Sequence, residues 1–216
     1  VIFADRSDAG KRLALLLAGH RVEHPLVLGL ARGGVIVAAE IASALGAELD
    51  VLIVRKLGVP GAEEFALGAI APGVVLINQE LVTQLDLSNE AVADVIARET
   101  EELSRREQAY RGNRQPPHIE GRTVILVDDG LATGTTAQAA VQSVRRLRPK
   151  QVIFAVPVCA RDGADALRQL VEEVVCLEYP LDFQAVSLWY HHFPSASDAQ
   201  VLRALRLSAA EAGAPL

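Results

Sequence analysis

Thr123-Val124-Ile125-Leu126-Val127-Asp128-Asp129-Gly130-Leu131-Ala132-Thr133-Gly134-Thr135-Thr136 is the segment around which the rest of the chain can be read. Thr123 to Val127 form an apolar or β-branched run without polar alternation, the pattern of a strand covered on both faces in a parallel sheet. Two adjacent carboxylates, Asp128 and Asp129, stand where that strand ends. A loop of small and hydroxyl residues follows. Ala137, Ala140, Val141, Val144 and Leu147 then recur at helical spacing, which starts a helix near Thr135 or Thr136. The free N–H groups and positive dipole end of such a helix start form an anion site. Hydroxyls at Thr133, Thr135 and Thr136 add donors for phosphate oxygens.

The same residues exclude two other phosphate loops. A Walker A loop needs Gly-Lys-Ser/Thr, and a dinucleotide fingerprint needs a three-glycine turn that Gly134 alone does not supply. The order of strand, acid pair, small-residue loop and helix resembles the 5-phosphoribosyl 1-diphosphate motif of the type I phosphoribosyltransferases. The resemblance runs from Val124 to Thr136, and Gly130 stands where that family usually has an apolar residue. A solvated Asp-Asp turn at the end of an apolar strand is the plain alternative.

Upstream, residues 5–19 read as an amphipathic helix with Ala9, Arg12, Leu13, Leu16 and Leu17 setting the period. Leu26 to Leu30 is a short apolar strand that runs into Ala31-Arg32-Gly33-Gly34. Val35, Ala38, Ala39 and Ala42 then suggest a helix closed at Gly46, and Leu49 to Val54 is the next strand, ending in Arg55-Lys56. Together these form a β-loop-α-β unit with a right-handed crossover. Leu57 to Ala66, with Gly58, Pro60, Gly61 and two glutamates, has no period and reads as a mobile loop. Leu67 to Ala71 and Val74 to Ile77, split by Pro72-Gly73, read as a hairpin. Ser88 to Arg111 is a long polar helix with Ser88 as N-cap, Gly112 at its end, and a thin apolar stripe of Val92, Val95, Ile96 and Leu103. Glu101–Arg105 and Glu102–Arg106 are favourable i,i+4 pairs on it.

Downstream, Gln151 to Val158 is another apolar strand, Asp162 to Leu170 a short helix, and Val174 to Leu177 the last strand; the tail past Ala209 is expected to fray. This rhythm indicates an α/β fold, a type I phosphoribosyltransferase-like domain with a mostly parallel central sheet flanked by helices. One domain is expected over 1–216, with its core at about 26–177, an inserted hairpin and helix at 67–112, and a C-terminal hood-like segment at 178–208.

The resemblance implies roles for particular residues. Ala132, Thr133, Gly134, Thr135 and Thr136 would bind a 5′-phosphate. Asp128 and Asp129 would hold the ribose hydroxyls, with Mg²⁺ as cofactor near them, chelated by those hydroxyls and the pyrophosphate. Ala31, Arg32, Gly33 and Gly34 look like the family's pyrophosphate loop, although a simple turn into a helix has the same composition. Arg55 and Lys56 would bring cations to the pyrophosphate from the head of a flexible loop, or else form a surface charge pair; only three of the 21 basic residues are lysines. Asp128, Asp129, Lys56 and Arg32 are thus the expected catalytic residues. Ala132 occupies the place where hypoxanthine and guanine enzymes usually carry Asp, so the loop looks more like those of the adenine and uracil enzymes.

Five of the nine aromatic residues, Tyr179, Phe183, Trp189, Tyr190 and Phe193, lie within fifteen positions. They read either as a satellite hydrophobic cluster or homodimer contact, or as a pocket in which Tyr179, Phe183 and Trp189 stack a planar base. His191-His192 are ordinary polar residues. The net charge of −6 gives no basic footprint for nucleic acid. No apolar run reaches membrane-spanning length and no signal peptide opens the chain. Val1 and the absence of Met are expected of a processed or trimmed start. Cys159 and Cys176 read as buried core thiols in a reducing compartment, the cytoplasm. The expected function is transfer of ribose 5-phosphate from 5-phosphoribosyl 1-diphosphate to a nitrogenous base or related nucleophile. The alternative is a regulator or sensor that binds this donor without transferring from it.

Overall fold

The computed structural model describes residues 2–211. Five parallel strands form the central sheet. β1 (Leu26–Leu30) lies between β2 (Glu48–Leu52) and β6 (Thr123–Val127), and β7 (Gln151–Val158) and β8 (Glu173–Glu178) extend the sheet beyond β6. All five residues of β1 and of β6 are buried, which is why both read as unbroken apolar runs. Successive side chains leave opposite faces, so the sheet has two cores. Val27, Ile125 and Val127 meet α1 (Arg6–Leu16), α2 (Gly33–Leu45) and α7 (Asp198–Glu211) through Leu13, Ile41 and Val201. Leu28, Val124 and Leu126 meet α5 (Thr135–Arg145) and α6 (Arg161–Arg168) through Ala140, Val144 and Leu167. The chain passes from β1 outward to β2 and returns to β6 on the other side of β1. The helices that follow β1 and β6 therefore leave on opposite faces, and a crevice opens between them at the carboxyl ends of the strands.

A second sheet of three antiparallel strands, β3 (Arg55–Val59), β4 (Ala62–Ala71) and β5 (Val74–Ile77), sits beside the first. The hairpin at Pro72-Gly73 is as the sequence suggests, but the expected loop at Leu57–Ala66 is not a loop. Its apparent punctuation belongs to a longer hairpin: Gly58 lies at a register shift between β3 and β4, and Pro60-Gly61 form the turn. Leu57, Val59 and Leu67 bury the inner face of that hairpin. A short helix, α3 (Gln79–Gln84), leads to the long helix α4 (Asn89–Arg111), whose first turn is capped by Ser88 Oγ accepting from Ala91 N–H at 3.1 Å. Val95, Glu99, Leu103 and Tyr110 are its buried side. Arg105 pairs with Glu102 at 2.6 Å instead of Glu101, and Arg106 joins the same carboxylate at 2.7 Å. The two guanidiniums hold Glu102 down to about 2.

The C-terminal segment divides in two. After β8 an irregular strap with a 3₁₀ turn at Val186–Trp189 crosses the carboxyl edge of the sheet, and α7 then packs back against α2. No helix was expected at α7; the fraying anticipated past Ala209 falls partly on 212–216, outside the described residues. Cys159 is buried as expected, whereas Cys176 is only half-buried, and both thiols are free. Among the described residues no helix is long and apolar enough to cross a membrane.

Candidate active site

The crevice is built from two turns. The first follows β1. Ala31-Arg32-Gly33-Gly34 enters α2, Arg32 is the N-cap residue, the Ala31–Arg32 peptide is cis, and no side chain caps the helix. The second follows β6, where Gly134, left-handed at φ 84°, is the N-cap of α5, again without a side-chain cap. Among the other helices α1, α3 and α4 are capped by Asp5, Asn78 and Ser88, while α6 also begins without a side-chain cap, at Ala160. Two helix starts on opposite faces of the sheet thus reach the crevice with their first N–H groups unclaimed by side chains.

The acid pair lies between them. An ideal Cβ on Gly33 would fall 1.9 Å from Asp129 Oδ2, and one on Gly34 would fall 2.5 Å from the Val127 carbonyl oxygen and 2.8 Å from Asp128 Cα. Only glycine permits the first turn to rest directly on the end of β6. Asp128 Oδ1 accepts from Asp129 N–H at 2.8 Å. Burial, and then the neighbouring Asp129, push the Asp128 carboxyl well above the ordinary carboxylate range. Ala132 and Thr133 are exposed, Gly134 is buried, and Thr135 and Thr136 are half-buried in the first turn of α5. All five therefore lie at one loop, as the sequence predicts.

Other expected residues are arranged differently. Arg32 faces Asp198 at the start of α7, with Nη1 3.7 Å from Oδ1, and the Tyr110 hydroxyl donates to the same carboxylate oxygen. Burial and that carboxylate raise Tyr110 to about 12. Arg55 is committed to Glu99 of α4 through contacts of 2.6 and 2.9 Å. Lys56 is exposed at the base of the β3–β4 hairpin. The three proposed base-stacking residues separate into two groups. Phe183 and Trp189 pack around Phe3 and Tyr190, whereas Tyr179 lies over the other core beneath Arg168, 5.5 Å from its ring centroid.

Sequence reasoning missed Arg6. It is 8 % exposed, donates from Nε to Asp129 Oδ2 at 2.7 Å and from Nη1 to the Pro194 carbonyl at 2.7 Å, and its guanidinium lies 3.8 Å from the Phe193 ring centroid. Tyr190, noted only as part of an aromatic cluster, donates its hydroxyl to the Asp129 carbonyl at 2.6 Å, and burial raises its pKa. Residues 2–4 run beside the strap, with Phe3 bridged to Tyr190 and His191 and His192 donating backbone N–H groups to Phe3 and Ala4.

Two helix starts without side-chain caps about an acid pair, on a five-stranded parallel sheet with a lateral hairpin, define the phosphoribosyltransferase class of α/β protein. The chain belongs to the phosphoribosyl transferase domain family, whose sequence profile matches residues 7–191. It is similar, at 43 % identity over 99 % of its length, to a Mycobacterium tuberculosis protein described as a candidate phosphoribosyl transferase. The chain spans 49 % of that relative's length. The crystal structure of TT1426 from Thermus thermophilus superimposes with a TM-score of 0.79 at 40 % identity, covering 95 % of this chain and 98 % of that one. A uracil phosphoribosyltransferase of Legionella pneumophila is 46 % identical over 48 residues, 22 % of each chain.

Proposed function

We propose that this chain transfers ribose 5-phosphate from 5-phosphoribosyl 1-diphosphate to a nitrogenous base or related small nucleophile, with release of pyrophosphate. The observation that carries this reading is the placement of two uncapped helix starts on either side of one acid pair. A 5′-phosphate suits the Thr133–Thr136 turn, whose helix start has no side-chain cap and which carries three threonines. A diphosphate suits the Arg32–Gly34 turn, where two glycines bring the backbone close and Arg32 adds a fork of donors. The ribose then spans the two turns over Asp128 and Asp129, whose acceptor oxygens match its hydroxyls. Breaking the C1–pyrophosphate bond develops positive charge on the ring and negative charge on the leaving group. Fixed donors at the diphosphate and carboxylates beneath the ring lower the energy of that state.

The donor set bears on Mg²⁺. Among the described residues no three His, Cys, Asp or Glu side chains are grouped to hold a metal, and the crevice offers two carboxylates. An Mg²⁺ ion would therefore be carried chiefly by the oxygens of the phosphoribosyl diphosphate, with Asp128 and Asp129 holding the ribose hydroxyls. When bound, the ion would neutralise the departing pyrophosphate. The local likeness to a uracil enzyme and the absence of an acid at Ala132 support a base other than a 6-oxopurine.

Pyrophosphate release from 5-phosphoribosyl 1-diphosphate, measured with Mg²⁺ against a panel of pyrimidines, purines and amines, tests the proposal. One acceptor is expected to stimulate release, and Asp129→Asn or Lys56→Ala to lower turnover at least about tenfold with little change in melting temperature. Tight donor binding without release under any acceptor would replace transfer with sensing.

A further inference from the structure

We propose that Arg6 is a positioning residue of the donor site, holding Asp129 in the orientation that receives the ribose hydroxyls; this rests on the donor-site reading above. Asp129 is gripped at both ends. Its carboxylate takes the Arg6 Nε–H on Oδ2, and its backbone carbonyl takes the Tyr190 hydroxyl. Arg6 is itself fixed three ways, by Asp129, by the Pro194 carbonyl and by the Phe193 ring, which stacks on Tyr190 with centroids 4.7 Å apart. It stands in the first turn of α1, just after the Asp5 cap that accepts from Asp8 N–H at 2.9 Å, so its backbone is also anchored.

An ion pair with side chains 9 % and 18 % exposed is a poor device for stability alone, because desolvation opposes the attraction. What this pair gives is geometry. With Oδ2 held by Arg6, the Asp129 carboxylate is fixed in the crevice beside Asp128. The pair also abuts the diphosphate turn, since a Cβ on Gly33 would fall 2.8 Å from Arg6 Nε. Arg6 itself is spent on protein partners, and its effect on the ligand passes through Asp129. The chain's first helix and its C-terminal strap thereby become parts of the site.

The discriminating quantity is how much the ribose adds to phosphate affinity. Ribose 5-phosphate and inorganic phosphate would be titrated calorimetrically into wild type, Arg6→Gln and Arg6→Lys, with thermal melts recorded alongside. Wild type is expected to prefer ribose 5-phosphate by about tenfold or more, the scale of hydrogen bonds to a charged group. Arg6→Gln should bring that ratio to within about twofold of unity while inorganic phosphate binds as before, because the Thr133–Thr136 turn is untouched. Arg6→Lys keeps the charge but cannot reach Asp129 and the Pro194 carbonyl together, and should fall between; it decides the matter if Arg6→Gln does not fold. A wild-type ratio retained in a folded variant, or equal loss of both ligands, overturns the role of Arg6. Failure of wild type to bind ribose 5-phosphate overturns the donor-site reading and this inference with it.

Discussion

The Asp128 carboxyl lies beside Asp129, and burial and that neighbour both raise its pKa in the folded chain. An acid whose folded pKa exceeds its unfolded value binds its proton more tightly when folded. Its contribution to stability is therefore complete below the ordinary carboxylate range and is lost as pH rises through the raised value. Asp128→Asn keeps an oxygen for the Asp129 N–H and cannot ionise. We expect it to melt roughly 2 °C or more above wild type at pH 8 by calorimetry, with the gap closing toward pH 4. A variant melting below wild type at pH 8 would contradict the assignment. Asp128, Asp129 and the Thr133–Thr136 turn were legible in the sequence because strand, acids and helix start are consecutive. Arg6 was not, because its partner lies 123 residues away and no local period marks it. Tyr179 misled for a related reason: although close in sequence to Phe183 and Trp189, it packs against a different core from theirs.

Helix α4 acts as a brace between elements that meet the crevice. Near its middle Glu99 holds Arg55 at the base of the β3–β4 hairpin. In its last turns Arg111 binds Asp50 at 3.1 Å and the Val51 carbonyl at 2.8 Å, and Tyr110 reaches the Asp198 carboxylate that faces Arg32. Glu99→Ala leaves Arg55 partly buried without its acid, a loss of about 3 kcal/mol for such a pair. The expected outcome is a melting temperature lower by roughly 6–12 °C, with early proteolytic cleavage in the hairpin. An unchanged melt and protease pattern would remove the brace. At this scale the strands of the central sheet could be read to within one or two residues, because burial on both faces leaves continuous apolar runs. The hairpin at Arg55–Ala71 could not, since its glycines and proline form a bulge and a turn that look like loop from composition alone. Helix α7 was hidden similarly: among its described residues Val201 and Leu205 are the buried hydrophobic positions, too few to impose a visible period.

Across the whole molecule, strand order places the site. Because β1 and β6 are neighbours whose following helices leave on opposite faces, the two glycine-containing turns converge at one edge, and the strap and residues 2–4 close beside it. That juxtaposition could be expected from the order of apolar runs and helix starts; the contributions of the two chain ends could not, since they are made by contacts between distant segments. The central claim is that both turns engage one donor molecule. Calorimetric titration of wild type and Gly33→Ala with 5-phosphoribosyl 1-diphosphate in Mg²⁺ tests it most directly, with ribose 5-phosphate as the single-turn reference. Wild type should bind the full donor at least about tenfold more tightly than ribose 5-phosphate, and Gly33→Ala, whose new Cβ would strike Asp129, should lose that advantage. Equal affinity of wild type for the two ligands, or an advantage untouched by Gly33→Ala, would contradict it.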